Sequence, residues 1–258
     1  MRKSVVLLLA VLGAVAFAAA ALAASAGNPV IAAAKKTLAA KTSTVRFSGV
    51  ISAQGQETRI SGSGKQRGRQ ADVTMRLAGP YDTISMRVIL LREATGFVMY
   101  MRSALLAPQL PPGKTWIRYD LEKAGRELGL DFSSLVGTQS TAFLEAGLVS
   151  TKRVGTSPIL GVRSVRYRAT VDYERAAAEN PALQSALARL RASGAPLTRV
   201  PMDVWVGPDG RFRRVRFVQR LGSGAARVTS SISVTTPAYD VPVTLKAPPA
   251  GVTHAFTG

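Results

Sequence analysis

Apolar and polar positions alternate along much of the chain. From Ser43 to Ala53, Val45, Phe47, Gly49 and Ile51 fall on one side, and Thr44, Arg46 and Ser48 fall on the other. Val73, Met75 and Leu77 repeat the pattern against Asp72, Thr74 and Arg76, and Thr83 to Leu91 sets Ile84, Met86, Val88 and Leu90 on one face. Val162 to Tyr173 places Val165, Tyr167, Ala169 and Val171 opposite Arg166 and Arg168; Arg211 to Leu221 places Val215, Phe217 and Leu221 opposite Arg214, Arg216 and Arg220. Such alternation predicts antiparallel strands with one buried and one wet face. Gly207-Pro208-Asp209-Gly210 reads as a hairpin turn between Met202–Val206 and the strand that begins at Arg211. The run from Ser61 to Gln70 reads as a flexible basic turn between two more strands.

Helical spacing interrupts the strands. Asn28-Pro29 supplies an N-cap and a proline at the first helical position, and Ile31, Ala34, Lys35 and Leu38 follow. Asn180-Pro181 repeats the signal, with Leu183, Leu187 and Leu190 on one stripe and Gly194 as the stop. Two further helical regions are expected, one over Leu121–Leu128 with Asp120 as N-cap and one over Thr138–Ala146. The predicted order is a helix, about six strands, two helices, two strands, a helix and three strands. Consecutive strands on short turns form an antiparallel meander, and grouped helices can cover one face of it. No linker rich in proline, glycine or serine divides the chain, which predicts a single domain over residues 24–258.

One loop departs from the pattern. Ser103 to Lys114 joins two alternating runs, yet it carries Leu105, Leu106 and Leu110 among Pro108, Pro111 and Pro112. Loops ordinarily lie in water. These leucines either complete the core or guard an apolar space.

Composition then limits the chemistry. Arg2 and Lys3, the apolar run from Val5 to Ala20 and the small residues Ala21-Leu22-Ala23 read as a signal peptide over residues 1–23, so export is expected. Cleavage after residue 26 and an uncleaved anchor are the alternatives. Leu22-Ala23-Ala24-Ser25 has the shape of a lipobox with serine in place of the cysteine that lipid attachment needs, so no lipid anchor is expected. The chain has 34 Lys and Arg against 15 Asp and Glu, a formal net charge of +19. That charge favours an anionic membrane surface or envelope polymer; nucleic acid is not expected as a partner of an exported protein. With no cysteine and one histidine, His254, neither a metal site nor a Ser-His-Asp site is indicated, and no cofactor or enzymatic activity is expected. His254 lies near the end of the chain and is assigned to a frayed tail.

The stretches YMRSALLAPQLPPGKTWIRYDL, VRYRATVDYERAAAENPALQSALARLR and MDVWVGPDGRFRRVRF resemble segments of the LolA/LolB-like lipoprotein-carrier superfamily, nearest the LppX/LprG-type actinobacterial envelope lipoproteins. The resemblance covers essentially the whole mature chain; the missing lipobox cysteine is the departure. It implies an α+β fold: a large curved antiparallel sheet, a half-barrel of about 11 strands, wrapping a few helices. It also implies an apolar cavity for a lipid or acylated envelope molecule. Phe47, Ile51, Met75, Met86, Val88 and Met99 are candidates for the wall, with Leu105, Leu106 and Leu110 as cover. Arg166, Arg168, Arg214, Arg216 and Arg220 are candidates for docking to an anionic surface; a plain solvated face is the alternative. A carrier or chaperone is the first functional reading, and a ligand-free envelope sensor or scaffold with a filled cavity is the second.

Overall fold

The computed structural model describes residues 27–53, 55–80, 82–94, 96–123, 141–178, 184, 187–188, 191, 198–221 and 228–256. The expected signal segment and the Asn180-Pro181 helix start lie outside them. The chain opens with helix α1 (Pro29–Leu38), whose first turn is closed by Asn28: its side-chain oxygen accepts from the Val30 N–H at 3.0 Å. Strands β1 (Thr42–Ala53), β2 (Gln56–Arg67), β3 (Gln70–Ala78), β4 (Thr83–Glu93), β5 (Gly96–Ser103) and β6 (Trp116–Asp120) follow. A 3-10 helix, Ala104–Gln109, lies between β5 and β6. Helix α2 (Thr141–Gly147), strands β7 (Leu148–Ile159) and β8 (Val162–Asp172), helix α3 (Tyr173–Ala177) and strands β9 (Arg199–Val206), β10 (Phe212–Leu221) and β11 (Val228–Tyr239) complete the main run. Last comes β12 (Thr253–Ala255).

The twelve strands of the described residues form one sheet in the order β12-β6-β5-β4-β3-β2-β1-β11-β10-β9-β8-β7. Two meanders, β1 to β6 and β7 to β11, meet where β1 pairs antiparallel with β11. The expected architecture, one large antiparallel-rich sheet with few helices on one face, is what the molecule has. The strand count differs by β12, which runs parallel to β6 with His254 opposite Ile117. His254 is therefore an edge-strand residue and not part of a frayed tail. The Thr115 N–H donates to the Val252 carbonyl and the Phe256 N–H to the Arg118 carbonyl, both at 2.9 Å, and these bonds flank the short strand.

The run from Ser61 to Arg67 is strand, which corrects its reading as a turn; the turn is confined to Gly68 and Arg69. The reason is packing. Gly62 lies opposite Phe47 in β1 and Met75 in β3. A Cβ there would sit 2.2 Å from the Phe47 ring and 2.4 Å from the Thr74 carbonyl oxygen, so only glycine admits the ring. The strand keeps its alternation, with glycines on the inner face and serines on the outer.

The inner core gathers Val45, Phe47, Met75, Met86, Val204, Val215, Phe217 and Val234 from the sheet with Val30, Ala33 and Ala34 of α1 and Leu144 of α2. A smaller second core lies on the opposite face, where Ile89, Leu91, Val98, Tyr100 and Trp116 are covered by Leu245, Val243 and Val252. The segment after β11 thus crosses the outer face as a belt and ends as β12. It begins at Asp240, whose carboxylate accepts from the Lys41 N–H at 3.0 Å. Strand β5 is buried on both sides as a consequence: Met101 faces the inner core, Val98 and Tyr100 the belt.

Candidate functional site

On the inner face, the expected wall residues come together unevenly. Phe47, Gly62, Met75 and Met86 form one continuous cross-strand row over β1 to β4, and Ser103 of β5 ends it. Val88 belongs to the next row, beside Val73 and Met101. Met99 is half-buried against the same core. Ile51 shares the face but stands at the far end of β1, opposite Thr58. Phe47, Met75, Met86 and Val88 are 3%, 2%, 3% and 6% exposed, so this wall is covered.

The leucine loop begins where the row ends. The Ser103 hydroxyl accepts from the Leu105 N–H at 3.4 Å and starts the 3-10 helix. Within it Leu106 packs on the inner core, Leu105 is 53% exposed, and Leu110 is half-buried beyond the helix. The three leucines therefore do not act as one unit: one seals and one is offered to solvent. Three tyrosines, Tyr119, Tyr167 and Tyr173, pack against the inner core. Burial pushes Tyr173 up to about 12, and burial also raises Tyr119, whose ring lies 5.0 Å from that of Phe256.

The outer face is cationic, and its arginines differ in what they touch. Arg166 meets Asp203 at 2.7 Å and Arg168 meets the same carboxylate at 3.4 Å. Trp205 lies between Arg166, 5.1 Å from its ring, and Arg214, 5.8 Å away. Arg214 also donates to the Thr235 hydroxyl at 3.0 Å, and Arg216 to the Ser231 hydroxyl at 3.3 Å. Arg220 is exposed. Of the five expected docking residues, two are thus largely committed to Asp203, and Arg214, Arg216 and Arg220 follow one another along β10.

Sequence reasoning missed the other half of this face. Arg46, Arg59 and Arg76 project from β1, β2 and β3, all exposed, on the same side as the β10 arginines. A groove of about 620 Å³ opens between them, lined by Ser48, Ser61, Ser231 and Ser233 with Arg59, Arg76 and Arg216. The signal was present in the alternation of β1 and β3 but broke at the segment read as a turn. Among the described residues, no three His, Cys, Asp or Glu side chains gather as a metal site. No helix among them is long and apolar enough to cross a membrane.

A scan against protein-family models finds no match to this chain, and a search of curated proteins finds none. Among solved structures, the fold is similar to lipoprotein LppX of Mycobacterium tuberculosis, with a TM-score of 0.44 and 13% identity over 84% of this chain and 96% of that one. It is similar to LprF of Mycobacterium bovis at a TM-score of 0.45 and 13% identity, covering 84% and 93% of the two chains. A DUF1329 family protein of Desulfovibrio piger follows at 0.31 and 11% identity, covering 83% and 92%.

Proposed function

We propose that this protein is exported and binds an acyl chain of a lipid or lipidated molecule on the inner face of its sheet, docking by its basic outer face to an anionic surface. It acts as a carrier or chaperone and not as an enzyme. The observation that carries this reading is the leucine helix. It lays Leu106 on a methionine-rich wall while holding Leu105 out in water. An exposed leucine at the rim of an apolar layer is a first contact for a chain leaving a bilayer. Met75, Met86, Met99 and Met101 lie in the strands behind it. Methionine repacks around irregular contents more readily than branched side chains do.

Transfer of an acyl chain from a membrane forfeits about 0.8 kcal/mol per CH₂, so the wall has to offer comparable dry contact. The test is native mass spectrometry and lipid extraction on protein purified from its own host, paired with uptake of a fluorescent fatty acid. Val88→Trp should abolish uptake and keep the fold, since overpacking costs about 1–3 kcal/mol. A protein that carries no lipid and takes up none overturns the carrier reading.

The close packing of Phe47, Met75 and Met86 favours a second reading, a sensor or scaffold whose inner layer is already full. On that reading Val88→Trp lowers stability and changes no binding.

A further inference from the structure

The outer groove has a regular construction. Arg76, Ser61, Ser48, Ser233 and Arg216 are successive partners across β3, β2, β1, β11 and β10. The row thus runs arginine, three serines, arginine over four strand spacings, about 19 Å at about 4.8 Å each. Arg59 adds a third guanidinium on the β2 side, and Arg216 lies down over the floor by donating to the Ser231 hydroxyl.

Serine is a poor choice for the exposed face of a central strand, where β-branched and aromatic side chains pack better. What serine supplies is a low floor and a hydroxyl. Among the described residues, the hydroxyls of Ser48, Ser61 and Ser233 have no hydrogen-bond partner, and Arg59, Arg76 and Arg216 make no ion pair. Of the carboxylates on this face, Asp72 is engaged by Arg87 at 2.7 Å and Asp203 by Arg166 and Arg168; Glu57, two residues from Arg59 on β2, makes no ion pair among the described residues and offsets one of the three guanidinium charges. Positive potential is therefore left standing over a bed of free donors. Guanidinium forks and hydroxyls together recognise an anion with several oxygens.

We propose that this groove is a subsite for the phosphate of an anionic phospholipid headgroup at a bilayer surface. Shape selects the membrane over a free anion. The groove is open and far larger than one phosphate ion, and it lies in a broad sheet face on which Arg46, Arg214 and Arg220 also point outward. A planar anionic surface can meet all of these at once. The proposal deepens the docking half of the function above, rests on it, and is independent of the acyl-chain half.

The experiment is vesicle co-sedimentation of the full chain with phosphatidylglycerol–phosphatidylcholine mixtures. Ser48→Val with Ser233→Val removes two hydroxyls, leaves the charge intact and suits a strand. It should weaken binding about tenfold or more, the loss expected for hydrogen bonds to a charged group. Arg59→Gln with Arg76→Gln should weaken it at least as much. Arg67→Gln with Arg69→Gln, the same charge change at exposed arginines outside the groove, should weaken it several-fold less than the groove pair. Circular dichroism confirms that each variant is folded. Equal losses for the two arginine pairs, with no loss for the serine pair, would show diffuse charge and overturn the subsite while leaving docking in place. No binding by the unaltered chain overturns docking itself. A titration with glycerol phosphate separates the sources: millimolar affinity agrees with a headgroup read in a membrane, and micromolar affinity overturns it in favour of a soluble ligand.

Discussion

Gly62 is the residue on which the inner row turns. Replacing it by alanine pushes a methyl group into the Phe47 ring and the Thr74 carbonyl, and the backbone side of that clash cannot swing away. The substitution should cost about 1–3 kcal/mol in denaturant unfolding. Phe47→Leu should recover part of the loss when combined with it, because neighbours that share a clash are not additive. Glu93 gives a residue-scale dependence on pH. The Tyr100 hydroxyl donates to it at 2.6 Å and Arg118 at 2.9 Å, and together they hold its carboxyl below the ordinary value of 4.5. A depressed carboxylate stabilises the fold above its unfolded value and loses that contribution as pH falls through the folded value. The unaltered protein should therefore lose stability below pH 4.5 more steeply than Glu93→Gln. Parallel curves of unfolding midpoint against pH would show that the pair contributes nothing. Gly62 also marks what the sequence concealed. Glycine alternating with serine is the composition of a turn, and only the Phe47 ring on the neighbouring strand shows that it is a strand.

At the scale of elements, alternation was a good guide and three-residue pairings were not. The strand from Ser43 to Ala53, the turn at Gly207 to Gly210 and the Asn28 cap were legible because each is specified by adjacent residues. Helix α3 was not. Its start, the Asp172 side chain accepting from the Arg175 N–H at 3.1 Å, lies inside what reads as one more strand residue pair. Strand β12 was illegible because three residues have no period and their partner lies far away in sequence. The outer groove was illegible for the same reason: its row takes one residue from each of five strands, and register alone brings them together. The belt can be tested directly. Leu245 is 8% exposed and plugs the second core, so Leu245→Ala should cost about 2 kcal/mol, the low end for a buried leucine, because a belt can settle into the space. The same change should leave vesicle binding intact. A neutral effect on unfolding would mean that the belt lies on the sheet without bearing on it.

At the scale of the whole molecule, one sheet has two chemically distinct sides. Helices and the leucine turn meet the inner side; the outer side carries the serine and arginine rows, the small second core and the belt. The sequence announced this division, since nearly every strand it marked was apolar on one side and cationic or hydroxylic on the other. It could not announce how the two meanders join. Within each meander every strand pairs with its neighbour in the chain, whereas β1 and β11 come from opposite ends. The belt then has to run from β11 past β1 to reach β6. These connections impose an order in time. Local hairpins close first, contacts distant in sequence close late, and a tail that crosses a finished sheet closes last. In refolding followed by pulsed amide exchange, β3 and β4 should gain protection before the β1–β11 pair, and the N–H of Thr115 should gain it last. Simultaneous protection would mean a single nucleus spanning both halves. With the expected order, the protein passes through an interval in which the sheet exists but Trp116 is still bare, so the segment after β11 acts as the final fastening and a chain cut short of residue 241 should remain a slow, sticky intermediate.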